Sequence, residues 1–179
     1  MRKLMFFLPL VIVIILGGFF WKSLGKDPSL LPSVLIDKPL PDFRLASLAD
    51  SEKMLTPQSM PKKPYLLNVW GTWCPACRIE HPFFTQLAQS GVNIIGVNYK
   101  DERSSAEKWL SDLGNPYLMN IFDDKGTLGL DLGVYGAPET YLVDSQGVIR
   151  YKHVGIVSAE VWSKNIQPRY QQLLGEKAP

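Results

Sequence analysis

The chain has 179 residues, 46% of them hydrophobic and 20% charged, with a net charge of +2. That length allows one ordinary domain plus an appendage, and the composition excludes an intrinsically disordered chain. The near-balanced charge gives no electrostatic footprint for nucleic acid, and two cysteines are too few for a disulfide scaffold.

The chain opens on a basic Met1-Arg2-Lys3 and continues, from Leu4 to Trp21, without a charged residue. A bilayer-spanning helix needs about 17–25 apolar residues. A cleaved signal would have a shorter apolar core, about 7–15 residues, followed by small residues. Here the stretch ends on the bulky Phe19-Phe20-Trp21. An uncleaved anchor over residues 1–21 is therefore expected, with a short cytoplasmic tip and the remainder exported. Pro28, Pro32 and Pro39 punctuate residues 22–39, which read as a linker. The domain is expected over residues 40–175.

Within it, Phe43, Leu45 and Leu48 suggest a short strand or arm, and prolines break residues 55–64 into loop or a single turn. Tyr65 to Trp70 is a mostly apolar run, the pattern of a strand covered on both faces. Ile79, Phe83 and Leu87 then recur at helical spacing, with a stop at Gly91. Val92 to Tyr99 predicts a second strand, and Ser104 with Glu107 predicts a capping box for a helix ending at Gly114. Tyr117 to Phe122 is a short apolar run, and residues 126–132 predict one or two helical turns. Residues 139–143 and 148–154 predict a hairpin turning at Asp144-Ser145-Gln146-Gly147. Ser158 is expected to cap a last helix that Pro168 kinks or divides. The first strand, helix and second strand form a βαβ unit, so these strands should be parallel. The whole predicts an α/β domain: a central mixed sheet flanked by helices.

The two cysteines, Cys74 and Cys77, fall where the first strand hands over to the first helix, the end of a sheet at which sites form. A disulfide between them closes too small a loop to stabilise the fold. A zinc clip needs four ligands, and only His81 and His153 are available to complete one. A thiolate copper site, with help from Met119 or His153, is a further reading. The redox reading fits the position. A helix start supplies free N–H groups and a positive dipole that stabilise a thiolate, and Pro75 suits the first turn. Cys74 is expected to be partly exposed and to attack. Cys77, one turn deeper, is expected to resolve the mixed disulfide. His81 reads as a surface or helix-face residue and His153 as a strand residue.

Trp73-Cys74-Pro75-Ala76-Cys77 after an apolar strand resembles the active site of thioredoxin-fold oxidoreductases, and the resemblance implies a thioredoxin-like fold. Pro82 matches the proline that kinks their active-site helix, and Pro138 matches their cis-proline. Residues 73–82 taken with Gly133 to Asp144, the apolar anchor and Lys38 to Leu45 are similar to the membrane-anchored DsbE/CcmG family of cytochrome c maturation. A peroxiredoxin pattern would require threonine at position 71 or 74, where this chain has Gly71 and Cys74.

The DsbE/CcmG resemblance implies a reductant on the bacterial inner membrane, with its catalytic domain in the periplasm. Its substrate would be a disulfide of apocytochrome c or of a maturation partner. A DsbD-type transmembrane donor would reduce it, and it would need no bound cofactor or metal. Cys74, Cys77, Glu80 and Pro138 are the implied catalytic residues, supported by Trp73, Pro75, Ala137 and Glu139. General thioredoxins carry a buried aspartate where this chain has Asn68. The proton-accepting role is therefore expected to fall to Glu80, with Glu139 supporting it or touching the partner. Trp73 is expected to cover the sulfurs. Acidic groups beside a thiol disfavour its thiolate, which makes the disulfide a weaker oxidant.

Overall fold

The computed structural model describes residues 12–19 and 35–175. Of the apolar N-terminal stretch, residues 12–19 are helical. No helix among the described residues is long and apolar enough to cross a membrane. The rest of the expected anchor, and the expected linker as far as residue 34, lie outside the described residues.

Residues 35–175 form a five-stranded mixed sheet with helices. In chain order these are β1 (Leu45–Ala46), β2 (Met54–Leu55), a 3-10 turn (Pro57–Ser59), β3 (Tyr65–Trp70), α1 (Pro75–Gln89) and β4 (Ile94–Tyr99). There follow α2 (Arg103–Leu113), β5 (Met119–Asp123), α3 (Thr127–Asp131), β6 (Glu139–Val143) and β7 (Ile149–Val154). The chain ends in α4 (Ala159–Val161), a π-helical turn (Trp162–Ile166) and α5 (Gln167–Gly175). The main sheet has the order β5-β4-β3-β6-β7, and β1 and β2 make a separate two-stranded ladder. β3 pairs parallel with β4, and β4 with β5. β6 runs antiparallel to β3 and to β7.

Every residue of β3 is buried, which accounts for its unbroken apolar run. One face of the sheet packs Leu66, Trp70, Ile94 and Leu142 against Phe84, Trp109 and Trp162 of the helices. The other packs Leu67, Val69, Ile95 and Tyr141 against Leu128, Leu132 and the N-terminal arm at Leu40 and Leu55. β3 thus sits at the centre of the sheet with both faces covered, and its last residues deliver Cys74 to the start of α1.

Two local expectations change and a third is sharpened. The buried residues of α1 are Cys77, Glu80, His81, Phe84 and Leu87, while Ile79 is 67% exposed. Of the apolar period 79, 83, 87, Leu87 and in part Phe83 meet the core, while Glu80 and His81 face inward to polar partners and turn Ile79 out. Secondly, α2 starts after Glu102 with no side-chain cap from Ser104. Asp101 receives the Glu102 N–H instead, at 2.9 Å. Thirdly, the segment around Pro168 is divided rather than merely kinked. Pro168 has no N–H for an α-helical bond, and ahead of it Gln167 N bonds to Trp162 O, five residues back. Ser158 does cap this helix, accepting from Val161 N at 3.2 Å.

Gly96 of β4 is a test of packing around Trp70. A Cβ there would stand 1.9 Å from Asn120 Oδ1 and 2.8 Å from Trp70 Nε1, the two atoms that hydrogen-bond at 3.0 Å. Gly96→Ala should destabilise the domain by about 1–3 kcal/mol through overpacking. The readout is a lower urea midpoint with an unchanged slope.

Candidate active site

The sulfurs of Cys74 and Cys77 are joined as a disulfide. Cys74 is the N-cap of α1 with Pro75 following it, and its Sγ lies 3.0 Å from the Cys77 N–H. That donor is the one a thiolate on Cys74 would use. Cys74 is only 2% exposed, so the expectation of a partly exposed attacking sulfur is corrected. The loop before β6 closes over it: the Ala137–Pro138 bond is cis, and Ala137 O lies 3.3 Å from Cys74 Sγ. In the reduced state a Cys74 thiol can donate to that carbonyl.

Glu80 follows Cys77 by three residues, hence on the same side of α1, and is 2% exposed. It is not a solvated surface glutamate. Its Oε1 accepts from Asn68 Nδ2 and its Oε2 from Val157 N, each at 2.9 Å. Asn68 Nδ2 also donates to Thr140 Oγ1 at 3.2 Å, and Asn68 Oδ1 accepts from Tyr117 OH at 2.9 Å. Burial pushes the Glu80 carboxyl up to about 7, against the opposing pull of the Val157 and Asn68 donors. Burial, and then the nearby Glu80 charge, hold Tyr117 well above the ordinary phenol range. A buried, titratable acid therefore lies one turn from the resolving cysteine, held by four separate segments of the chain.

A family model described as Redoxin matches residues 36–167. The chain is 56% identical over 176 residues to the thiol:disulfide interchange protein DsbE of Pseudomonas aeruginosa, covering 98% of each. It is 45% identical over 184 residues to DsbE of Escherichia coli K12, covering 99% of this chain and 100% of that one. A DsbE-type thiol:disulfide interchange protein of Chlorobium tepidum matches in structure with a TM-score of 0.65 at 25% identity. That match covers 76% of this chain and 96% of the other. The chain belongs to the redoxin family and, within it, to the DsbE proteins. Its fold is thioredoxin-like, and it is a thiol:disulfide interchange enzyme.

Other residues take places in this DsbE chain that differ from expectation. Glu139 does not reach Glu80. It is level with Val69 on β3, so it lies on the sheet face opposite to Asn68 and Thr140. It is fully buried, with Oε2 bound to Lys152 Nζ at 2.9 Å and Tyr141 OH at 2.8 Å. Its Oε1 takes the Tyr135 N–H at 2.8 Å. Its bonds thus hold the loop that carries Ala137 and Pro138. The Trp73 indole, 49% exposed, is fixed by a 3.0 Å bond to Tyr99 O and lies over Gly71. Its fixed contacts run toward β4 rather than over the sulfurs. His81 is buried, not superficial: its Nε2 is 2.9 Å from Gly114 O, and its ring meets Trp109 and Tyr117 edge-on. Burial lowers its pKa. His153 is a β7 residue with Nε2 3.2 Å from Ile156 O. Met119 opens the edge strand β5, level with Ile95 and Leu67, at the end of the sheet away from the sulfurs. Among the described residues, no group of three or more His, Cys, Asp or Glu is placed to hold a metal ion.

Three contributors escaped the sequence reading. Tyr117 and Thr140 complete the Asn68 network. Asp101 anchors the approach to Cys74, accepting from Thr72 N and Thr72 Oγ1 at 2.6 Å each and from Asn98 Nδ2 at 2.9 Å. A polar Asn68 inside the apolar run of β3 was the one local signal of this network. The others depend on contacts between distant parts of the chain.

Two measurements follow from these carboxylates. The folded state holds a proton on Glu80 up to about pH 7, whereas the ordinary value is 4.5. Between these values the native state binds the proton more tightly, so stability falls as pH rises through the window and levels above it. The loss is on the order of 3 kcal/mol. Urea titrations at a series of pH values should show this slope in the native chain but not in Glu80→Gln. On the opposite face, Lys152→Met leaves the Glu139 charge buried without its partner and should cost about 3–5 kcal/mol. The pair Glu139→Gln with Lys152→Met should recover most of that loss in the same assay.

Proposed function

We propose that this protein is a membrane-tethered reductant of c-type cytochrome biogenesis. Its substrate on this reading is a disulfide of apocytochrome c or of a maturation partner, opened before haem attachment. The observation that carries the catalytic part is the Cys74–Cys77 disulfide, set between the Ala137 carbonyl and the buried Glu80 network. The uncharged stretch from Leu4 to Trp21, behind a basic tip, supports a single anchor in the inner membrane with the domain in the periplasm. The cytochrome assignment rests on the resemblance to the DsbE/CcmG family.

In the proposed cycle, a transmembrane donor of the DsbD type first reduces the pair. The Cys74 thiolate attacks the substrate disulfide, one substrate sulfur leaves as a thiolate, and Cys74 becomes the mixed disulfide. Glu80 takes the Cys77 proton, and the Cys77 thiolate attacks Cys74 Sγ. The bond from Cys74 to the substrate breaks as the Cys74–Cys77 bond forms. The substrate gains two electrons and leaves as a dithiol, and the pair is oxidised. An acid titrating near 7 can take the Cys77 proton at neutral pH and then give it up to the departing substrate thiolate. Ala137, Pro138 and the Tyr135 loop hold the substrate backbone against Cys74, and Pro75 fixes the first turn of α1. Trp73, on its exposed side, offers an aromatic surface beside the sulfurs.

A Cys77→Ser variant expressed in cells tests the assignment, because it strands the mixed disulfide on Cys74. The expected product is a covalent adduct with a C-x-x-C-H apoprotein or a maturation partner, lost on adding reductant. Adducts spread across unrelated exported proteins would instead establish a general thiol reductase of the same fold.

A further inference from the structure

We propose that Asn68 is a positioning residue for the proton step at Cys77, its side-chain amide reversing end for end when Glu80 takes up a proton. The inference rests on the reading of Glu80 as the proton acceptor, and it assigns the hydroxyls of Tyr117 and Thr140 a role in that step.

An ionised carboxylate can only accept hydrogen bonds. With Glu80 charged, the amide must turn Nδ2 toward it, as observed at 2.9 Å. Nδ2 then also meets Thr140 Oγ1 and Oδ1 meets Tyr117 OH. Protonation changes what Glu80 presents. Its Oε2 still faces the Val157 N–H, a backbone donor that cannot reverse. On Oε1, an O–H turned along the existing bond would confront the hydrogens of Asn68 Nδ2. A buried donor left without an acceptor costs about 1–3 kcal/mol. A half-turn of the amide removes that conflict: Oδ1 accepts from the protonated Glu80 and Nδ2 swings toward Tyr117.

Only hydroxyl partners permit both orientations, because each can donate or accept. Tyr117 changes from donor to acceptor, and Thr140 from acceptor to donor. An ionised aspartate at position 68 would have no donor to turn toward Glu80 at all. The titratable groups around Glu80 are Cys77 and His81 on its own helix, Tyr117 from the segment before β5, and His153, opposite Thr140 on β7. Both imidazoles are engaged elsewhere, with Gly114 O and Ile156 O. Tyr117, held well above its ordinary value by burial, keeps its proton throughout the range in which Glu80 titrates.

The test is NMR on the full-length, isotope-labelled protein in detergent. The disulfide form is used, so that neither cysteine titrates. The Glu80 carboxyl carbon and the Asn68 side-chain NH2 are followed from about pH 5 to about pH 9. Above the Glu80 midpoint, the NH2 protons should give cross-relaxation to the Glu80 side chain. Below it, those signals should fall several-fold and signals to the Tyr117 ring should appear. In Glu80→Gln the pattern should not change with pH. A Glu80 carbon that titrates while the Asn68 signals stay fixed overturns the reversal and leaves Glu80 as proton acceptor. A Glu80 carbon that does not titrate in this range overturns both. A pH-dependent pattern that persists in Glu80→Gln also overturns the reversal.

Discussion

The constraint on which this site depends is a single carboxylate held out of water beneath a disulfide. Glu80 has no ion-pair partner among the described residues, only neutral donors on both oxygens. Two such bonds offset part of the desolvation of a charged group but not all of it, which is why the acid is held near 7. The donors come from distant places. Asn68 lies at the centre of β3, and Val157 N lies in the turn after β7. Thr140 on β6 and Tyr117 before β5 then fix Asn68. Satisfying one buried carboxylate thus ties α1 to most of the sheet. The cysteine pair on that helix is held in register with the loop before β6.

The second buried acid follows a different rule. Glu139 has a cation, Lys152, at 2.9 Å and a side chain wholly removed from solvent. Lys152 also donates to Gly133 O and lies over the rings of Tyr135 and Tyr141. Such a pair fixes geometry more than it adds stability. The geometry it fixes is the loop from Gly133 to Pro138, whose Ala137 carbonyl meets Cys74. Adjacent residues on β6, Glu139 and Thr140, therefore serve opposite faces of the sheet. One holds the loop above the sulfur and the other holds the proton network below it. The alternation of side chains along a strand makes that division possible.

Much of the architecture was legible. The β3 run is apolar throughout because both faces of the sheet are covered. The β6–β7 hairpin shows through its turn residues, and Ser158 caps where its residue type suggested. What was misread shares one cause. On α1 Glu80 and His81 share the inward face with Phe84 and Leu87, so the apolar Ile79 marked the wrong face. The side chain that meets the start of α2 is Asp101, which takes the N–H of the N-cap residue Glu102 and whose other bonds go to Thr72 and Asn98. No pattern local to the helix reveals that. Glu139 was expected to support Glu80 or to touch the partner, and strand register puts it on the face away from Glu80. Buried polar groups are chosen by their partners, and those of Glu80 are 12 and 77 residues away along the chain.

The proposed direction of electron flow follows from the same carboxylate. A disulfide is a strong oxidant when its reduced form gains a well-stabilised thiolate. In this site the helix start and the Cys77 N–H favour a thiolate on Cys74, while a charged Glu80 one turn beyond Cys77 opposes one there. The opposition grows above the Glu80 midpoint and fades below it. A general thioredoxin places an acidic group at the position of Asn68. Here the acid has moved onto α1, and a neutral, reversible amide stands between it and the sheet. Glu80 can then be charged or neutral and still share a hydrogen bond with Asn68. A pair that must be reduced and reoxidised in every turnover requires that tolerance of both states.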